Sequence, residues 1–417
     1  MHVPDLWHKT AIFYCLDVET YMDGNNDGVG DFRGLRLRLD EIASLGVNCI
    51  WLLPFYPSPN RDNGYDIMDY YGVDPRLGNL GDFVDFIHHA KEYGIRVIID
   101  LVVNHTSMDH PWFQKAVEDP HSKYYHYYVW SQEKPESNAP LVFPGQQESI
   151  WTYHEQAGAW YLHRFYAHQP DLNIANPEVQ EEIRKIMGFW LQLGVSGFRI
   201  DAAPYLIELR GVDAPQHQDP YTYLTSLRTF LSWRHGDAII LGEVNVPNDQ
   251  LPHYFGDGNR MHMLFDFTLC QNIYLALAQG RAAPIRESLQ SLPKTPLASQ
   301  WAIFLRNHDE LNLGKLSDEA KQRVYETFAP EENMQIFGRG IRRRIAPMVG
   351  NDRRKLELLH SLMLTMNGSP VLRYGQEIGM GDDLSLPGRN SVRTPMQWSD
   401  EINGGFSRAP RVSSCAR

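Results

Sequence analysis

The chain has 417 residues, 43% of them hydrophobic and 12% aromatic, which is enough to bury a large core and too many for one small domain. It carries 39 basic against 51 acidic residues, a formal net charge of −12, which argues against nucleic acid or an anionic membrane as partner. There is no run of about 18 apolar residues and no charged-then-apolar leader, and the four cysteines show no metal spacing, so the reading is a soluble, cytoplasmic protein with reduced thiols.

Apolar runs of strand length alternate with segments of helical period. Eight runs are predicted as strands: Ala11–Tyr21, Val47–Phe55, Arg96–Val103, Gly197–Ala203, Ala238–Val244, Met263–Phe267, Trp301–Leu305 and Pro370–Tyr374. Between them, Asp82–Glu92 puts Phe83, Phe86, Ile87 and Ala90 on one helix face, and Val179–Leu193 does the same with Ile183, Ile186, Phe189, Trp190 and Leu193. Strand–helix alternation implies a parallel sheet, and eight units imply an α/β fold, a closed (β/α)8 TIM barrel. Residues 106–172, rich in Tyr, His, Trp and Pro, exceed what one crossover needs and read as a small inserted domain after strand 3. The barrel is thus expected from 1–105 and 173–406, with an irregular tail at 407–417. No helical pattern follows the eighth strand.

In such a barrel, chemistry sits where the strands end. Strand 3 ends in Asp100-Leu-Val-Val-Asn104-His105, strand 4 in Arg199-Ile-Asp201, strand 5 in Glu243, and strand 7 in Asn307-His308-Asp309, while the loop after strand 2 reads Asn63-Gly-Tyr65-Asp66. Side chains two apart on a strand share a face, so Arg199 and Asp201 lie together, and the guanidinium favours the ionised carboxylate. Three carboxylates from three strands meeting in one pocket suit a retaining glycosidase, in which one acid attacks the anomeric carbon and a second protonates the leaving oxygen. The arginine neighbour makes Asp201 the nucleophile. The apolar run before Glu243 suggests burial and a raised value, hence the general acid.

These four motifs, in this order, resemble the conserved regions of the α-amylase family, glycoside hydrolase family 13. Within it, Gln169-Pro-Asp171-Leu-Asn173 is similar to the oligo-1,6-glucosidase branch. The stretches 52–59, 301–311, 340–347 and 379–382 are similar to the trehalose synthase branch. The resemblance implies Asp201 as nucleophile, Glu243 as acid/base and Asp309 as the third carboxylate that holds the sugar. It implies that Asp66, His105, Arg199 and His308 bind the glucosyl unit, with Tyr65 as the platform beneath it and Arg393 paired to Asp66. The activity implied is transfer on small α-glucosides through a glucosyl–Asp201 intermediate, isomerising maltose to trehalose. An α-glucosidase or α-amylase-type hydrolase, or a transglucosidase, is the alternative. A barrel kept as a non-catalytic binding subunit is the reading from another class.

Asp23-Gly-Asn25-Asn-Asp27-Gly-Val29-Gly-Asp31 has the oxygen spacing of the first part of an EF-hand loop, but its twelfth position is Gly34 rather than Glu. The resemblance implies a structural calcium ion there, on the side chains of Asp23, Asn25, Asp27 and Asp31 and the carbonyl of Val29; the alternative is a metal-free Gly/Asn turn. A second calcium site is implied at Asn104, Asp171, Glu208 and the carbonyls of Tyr205 and Leu206. No organic cofactor is expected. The similarity is expected to fade after Phe406. The last barrel helix and C-terminal β-sandwich of the family are expected to be missing, leaving apolar surface that favours a homo-oligomer or aggregation.

Overall fold

Short apolar strands separated by helices have to run parallel, because each crossover returns the chain to the same end of the sheet. The computed structural model describes residues 6–136, 139–207 and 219–410. Its eight barrel strands are β1 Phe13–Leu16, β2 Cys49–Leu52, β3 Arg96–Leu101, β4 Gly197–Ile200, β5 Ile239–Gly242, β6 Met263–Phe265, β7 Gln300–Phe304 and β8 Ser369–Arg373. Each pairs in parallel with the next, and β8 returns to β1, so the (β/α)8 barrel is closed. All eight predicted runs are present, the first six shortened and the last two shifted one residue towards the N-terminus. The first stops at Leu16 because the Asp17 carboxylate accepts the Glu19 N–H and starts a helix at Val18–Tyr21.

The two predicted helices run Leu80–Glu92 and Pro177–Gln192. Asn79 and Asp82 form a capping box on the first, and Asn176 caps the second ahead of a proline in its first turn. Their apolar faces meet in an aromatic cluster, with Phe55–Phe83 centroids 5.2 Å apart and Phe83–Trp190 5.1 Å apart. Much of the aromatic richness is therefore core packing.

Two excursions interrupt the regular alternation. Between β3 and β4, Ala159–Leu162 is the central strand of a three-stranded antiparallel sheet with Trp130–Ser131 and Trp151–His154. Between β7 and β8, Gly340–Ile341 is the centre of a smaller sheet with Leu311–Asn312 and Gln335–Ile336. The second was not anticipated, since two-residue strands are too short to display a period of two. The excursions meet over the barrel: Arg339 Nη2 donates to the Val142 carbonyl at 2.7 Å, and Phe143 packs on Phe337 with centroids 5.0 Å apart.

After β8 the described chain forms only single-turn 3-10 segments, Gly388–Val392 and Ile402–Gly405. It is tied back to the start of the barrel. Trp398 Nε1 donates to the Tyr21 carbonyl at 2.9 Å, and Ser407 Oγ donates to Asp23 at 2.5 Å. Residues 407–410 of the expected irregular tail thus pack on the barrel, and Ser407 and Ala409 are buried. Cys15, Cys49 and Cys270 are buried and free, while Cys415 lies outside the described residues. Among the described residues no helix is long and apolar enough to cross a membrane.

Candidate active site

Arg199 organises the C-terminal mouth of the barrel. It projects inward from β4, is 1% exposed, and has its guanidinium 5.2 Å from the Trp51 ring centroid. Nη1 donates to Asp201 at 2.6 Å and to Asp100 at 2.5 Å, while Nη2 donates to Glu243 at 2.7 Å. Asp100 stands opposite Arg199 in the β3–β4 register, and Trp51 Nε1 holds its second oxygen at 2.9 Å. One cation thus gathers three acids from three strands. Asp201 sits one residue past β4, where Ala202 takes a left-handed conformation (φ 46°) and turns its N–H onto Glu243 at 3.1 Å. A non-glycine residue in that conformation costs about 1–2 kcal/mol and concentrates at functional positions.

The electrostatics differ from the expectation. The Glu243 side chain is 23% exposed and that of Asp201 only 11%, so the apolar run before Glu243 does not bury its carboxylate. Burial pushes the Asp201 carboxyl well up; Arg199 opposes this, but Glu243, Asp100 and Asp309 reinforce it. Asp100 is likewise pushed up, to about 6, by burial against the pull of Arg199. The firmly anionic member is Asp309: burial pushes its carboxyl up, but Arg389, His308 and Arg393 together hold it below the usual range. Arg389 Nη1 reaches Asp309 at 2.9 Å and Arg393 Nη2 at 2.8 Å.

The remaining expected residues divide. Tyr65, His105, Asp201, Glu243 and Asp309 all line one cavity of about 950 Å³, within the range of small-molecule sites. The Tyr65 ring stacks on His308 at 5.5 Å and 5°, and its hydroxyl lies 2.7 Å from His308 Nε2. Gly64 makes this placement possible. Its φ is +84°, and a Cβ there would lie 2.8 Å from the Pro54 carbonyl. Burial lowers the His105 imidazole to about 3 and drives His308 well down, so both rings are neutral near pH 7. Arg199, His308 and Arg393 stand behind the wall as supports.

The expected pairing of Arg393 with Asp66 is incorrect. Arg393 donates instead to Asp309 and, through Nε, to the His308 carbonyl at 2.9 Å. Asp66 is fully buried and spent on its own turn, accepting from Ser58 Oγ at 2.9 Å, Arg61 N at 3.0 Å and Asp62 N at 3.1 Å. The acid that lines the cavity is Asp62, four residues earlier, held by Gln169 Nε2 at 2.9 Å. Burial raises its carboxyl to about 6 against the opposing charges of Arg393 and Arg389. The sequence reading passed over Asp62, although it opens the same Asp-Asn-Gly-Tyr turn. Arg389 carried no motif signal at all.

The Asp23–Asp31 loop folds around its own acids. Asp23 accepts the N–H groups of Asn25, Asn26 and Gly28 at 3.1, 2.6 and 2.8 Å. Asp27 accepts Val29 N at 2.9 Å, and Asp31 accepts Gly34 N at 2.7 Å. Among the described residues no lysine or arginine pairs with Asp23, Asp27 or Asp31. Burial, with a contribution from Asp23, raises Asp31. Asp23 and Asp31 are buried and Asp27 is exposed; oxygen donors without a cationic neighbour are the chemistry a hard divalent cation takes, but among the described residues no three His, Cys, Asp or Glu side chains converge as a metal site. In the second set, Asn104 Nδ2 donates to Asp171 at 3.2 Å beside the His105–Asp171 bridge. Tyr205 and Leu206 end the Ala203–Leu206 helix, with the Arg164 guanidinium 5.0 Å from the Tyr205 ring, and Glu208 lies outside the described residues.

Comparison with known proteins agrees with this geometry. The model of the α-amylase catalytic domain matches residues 18–329 and 331–413, so the similarity continues past Phe406, where it was expected to end. A trehalose synthase of Thermus thermophilus is 48% identical over 97% of this chain and 42% of its own length. A trehalose synthase/amylase of Mycolicibacterium smegmatis is 45% identical over 97% of this chain and 69% of its own. The chain therefore spans less than half of the first relative and about two thirds of the second. Among solved structures, an α-glucosyl transfer enzyme, XgtA, superposes with a TM-score of 0.77 at 28% identity, covering 99% of this chain and 79% of that one. With a closed barrel, three acids on one cavity and a family match over most of its length, the chain belongs to the α-amylase family.

Proposed function

We propose that the protein is a retaining α-glucosyl-transferring enzyme that isomerises maltose to trehalose. Asp201 attacks the anomeric carbon and becomes a glucosyl ester, while Glu243 donates its proton to the leaving oxygen. Arg199, bonded to both carboxylates, keeps them in register and stabilises Asp201 as it leaves again. Asp309, held anionic by Arg389 and Arg393, grips the sugar hydroxyls, with Tyr65 beneath the ring. The released glucose turns within the cavity and attacks the ester through its anomeric hydroxyl, giving the hydroxyl proton back to Glu243.

The observation that carries this reading is the gathering of Asp201, Glu243 and Asp309 on one cavity, in a chain similar to named trehalose synthases. The products from maltose test it. Trehalose as a main product is expected; glucose without trehalose overturns isomerisation in favour of an α-glucosidase-type hydrolase. A structural calcium ion belongs to the same proposal, on Asp23, Asn25, Asp27, Asp31 and the Val29 carbonyl. A second would take Asn104, Asp171, Glu208 and the Tyr205 and Leu206 carbonyls. When bound, each ion supplies local rigidity, with no part in bond breaking.

A further inference from the structure

Glu243 hands its proton to the leaving oxygen, so the leaving sugar, and whatever next accepts the glucosyl group, lie beside Glu243. The cavity wall runs on from it through Asn248 after β5, Thr268 after β6 and Lys315 in the β7–β8 excursion. These three side chains form one hydrogen-bonded row. Lys315 Nζ donates to Thr268 Oγ1 at 3.1 Å, Thr268 Oγ1 donates to Asn248 Oδ1 at 2.8 Å, and Asn248 Nδ2 donates to Ser291 Oγ at 3.1 Å. The base of the lysine is fixed by its backbone N–H, which donates to the buried Gln271 side chain at 3.0 Å.

The row stands apart from the charge pairing of the rest of the cavity. Asp201 and Glu243 bond to Arg199, Asp309 and Glu310 bond to Arg389, and Asp62 feels the charges of Arg393 and Arg389. The other arginine on the wall, Arg339, reaches Glu310 at 3.5 Å. Lys315 is the exception: among the described residues no carboxylate pairs with it. Asp266 is the acid whose charge reaches it, but Asp266 caps the Phe267–Gln279 helix, accepting Leu269 N at 2.8 Å. Thr268 takes one of the three ammonium N–H groups and leaves the others for a ligand. Burial lowers Lys315 to about 8, so it is still charged near pH 7. A partly buried charge without a partner has lost hydration that an anion can replace.

We infer that Lys315 selects acceptors carrying one carboxylate, a sugar acid or hydroxy acid, so that the protein also transfers glucose from maltose onto anionic acceptors. This rests on the glucosyl-transfer reading above and gives that site a second class of acceptor. One ammonium balances one carboxylate. A phosphate monoester, with nearly two charges near pH 7, would leave its surplus unmet, since the described wall offers no second unpaired cation. The step conserves atoms. The bond between C1 and the Asp201 oxygen breaks, C1 bonds to an acceptor hydroxyl oxygen, the hydroxyl proton passes to Glu243, and Asp201 leaves as a carboxylate.

The test gives the full chain maltose as donor, with D-glucuronate and its neutral isostere D-glucuronamide at equal concentrations, and reads the two disaccharides after anion-exchange separation. The acceptors present the same hydroxyls and differ in charge. The acidic disaccharide should exceed the neutral one by about 10-fold or more, the worth of a charged hydrogen bond. Lys315→Met should bring the two to parity, and Lys315→Arg should keep the excess; both products form in one mixture, so a loss of overall activity cancels. Where the Met variant does not fold, Lys315→Gln removes the charge and keeps a polar side chain. Parity in the wild type, an excess that survives loss of the charge, or a hexose phosphate that outcompetes glucuronate overturns the inference. Maltose alone reports on isomerisation separately. Trehalose without any acidic disaccharide sinks only this inference, and an acidic disaccharide without trehalose sinks only the isomerisation.

Discussion

Arg199 supports more carboxylates than one guanidinium can neutralise, and this decides how Asp201 behaves. Asp201, Glu243 and Asp100 all bond to it, and burial outweighs its pull on Asp201. As the proposed nucleophile, Asp201 is useful only when ionised. Activity should therefore fall as pH drops through the folded value of Asp201, above the ordinary carboxylate range near 4. A kcat/KM–pH profile on maltose checks this; an acid limb at about 4 or below contradicts it. Asp201→Asn should lower kcat by on the order of 10⁴-fold or more, since a nucleophile acts as a unit with its acid. Asp62 allows a sharper separation. It lines the cavity and Asp66 does not, so Asp62→Asn should raise KM or lower kcat by about 10-fold or more, the loss of a charged hydrogen bond to substrate. Asp66→Asn removes a turn acceptor of Ser58, Arg61 and Asp62, so it should show first as a lower Tm. Reversal of those two phenotypes would restore the sequence-based assignment.

At the level of elements, the barrel was legible because each strand is a short apolar run and the helices Leu80–Glu92 and Pro177–Gln192 each present one clear stripe. The site was legible where a motif residue sits directly at a strand end, as Arg199, Asp201, Glu243 and Asp309 do. It was not legible where function depends on turn geometry or on residues far apart in sequence. Nothing in the Asp-Asn-Gly-Tyr-Asp string says which acid faces the cavity; that is fixed by Asp66 closing its own turn. The two-residue strands at 311–312, 335–336 and 340–341 gave no periodicity, yet they form the wall opposite the inserted segment. That wall makes a prediction. Arg339 ties the Val142 carbonyl to the β7–β8 excursion, beside the Phe143–Phe337 contact. Arg339→Ala should loosen the roof and admit water, raising the ratio of free glucose to trehalose formed from maltose. An unchanged ratio would mean that the contact does not govern water entry. The loop at Asp23 belongs to the same scale. It is tied to the late segment through Ser407, so chelation should lower Tm, and calcium should restore it.

For the molecule as a whole, the site stands in conflict with stability. The barrel brings Asp100, Asp201, Glu243 and Asp309 to one mouth, and the folded state keeps them there against mutual repulsion. A carboxyl whose folded value is raised binds its proton more tightly in the native than in the unfolded chain. Native stability is therefore lost as pH rises from the ordinary carboxylate value to the folded one, and stays lost above it. Asp201 is such a group, and Asn cannot ionise. Asp201→Asn leaves Arg199 its bonds to Asp100 and Glu243, so no buried cation is abandoned. The inactive variant should thus melt above the wild type at pH 7. The difference should shrink as pH falls and vanish below about 4, where Asp201 is protonated in both states. Thermal melts of the two proteins across that range measure it. A variant less stable than wild type at pH 7, by an amount independent of pH, would show that Arg199 relieves Asp201 of its burial and that the acids at the mouth are no burden to the fold.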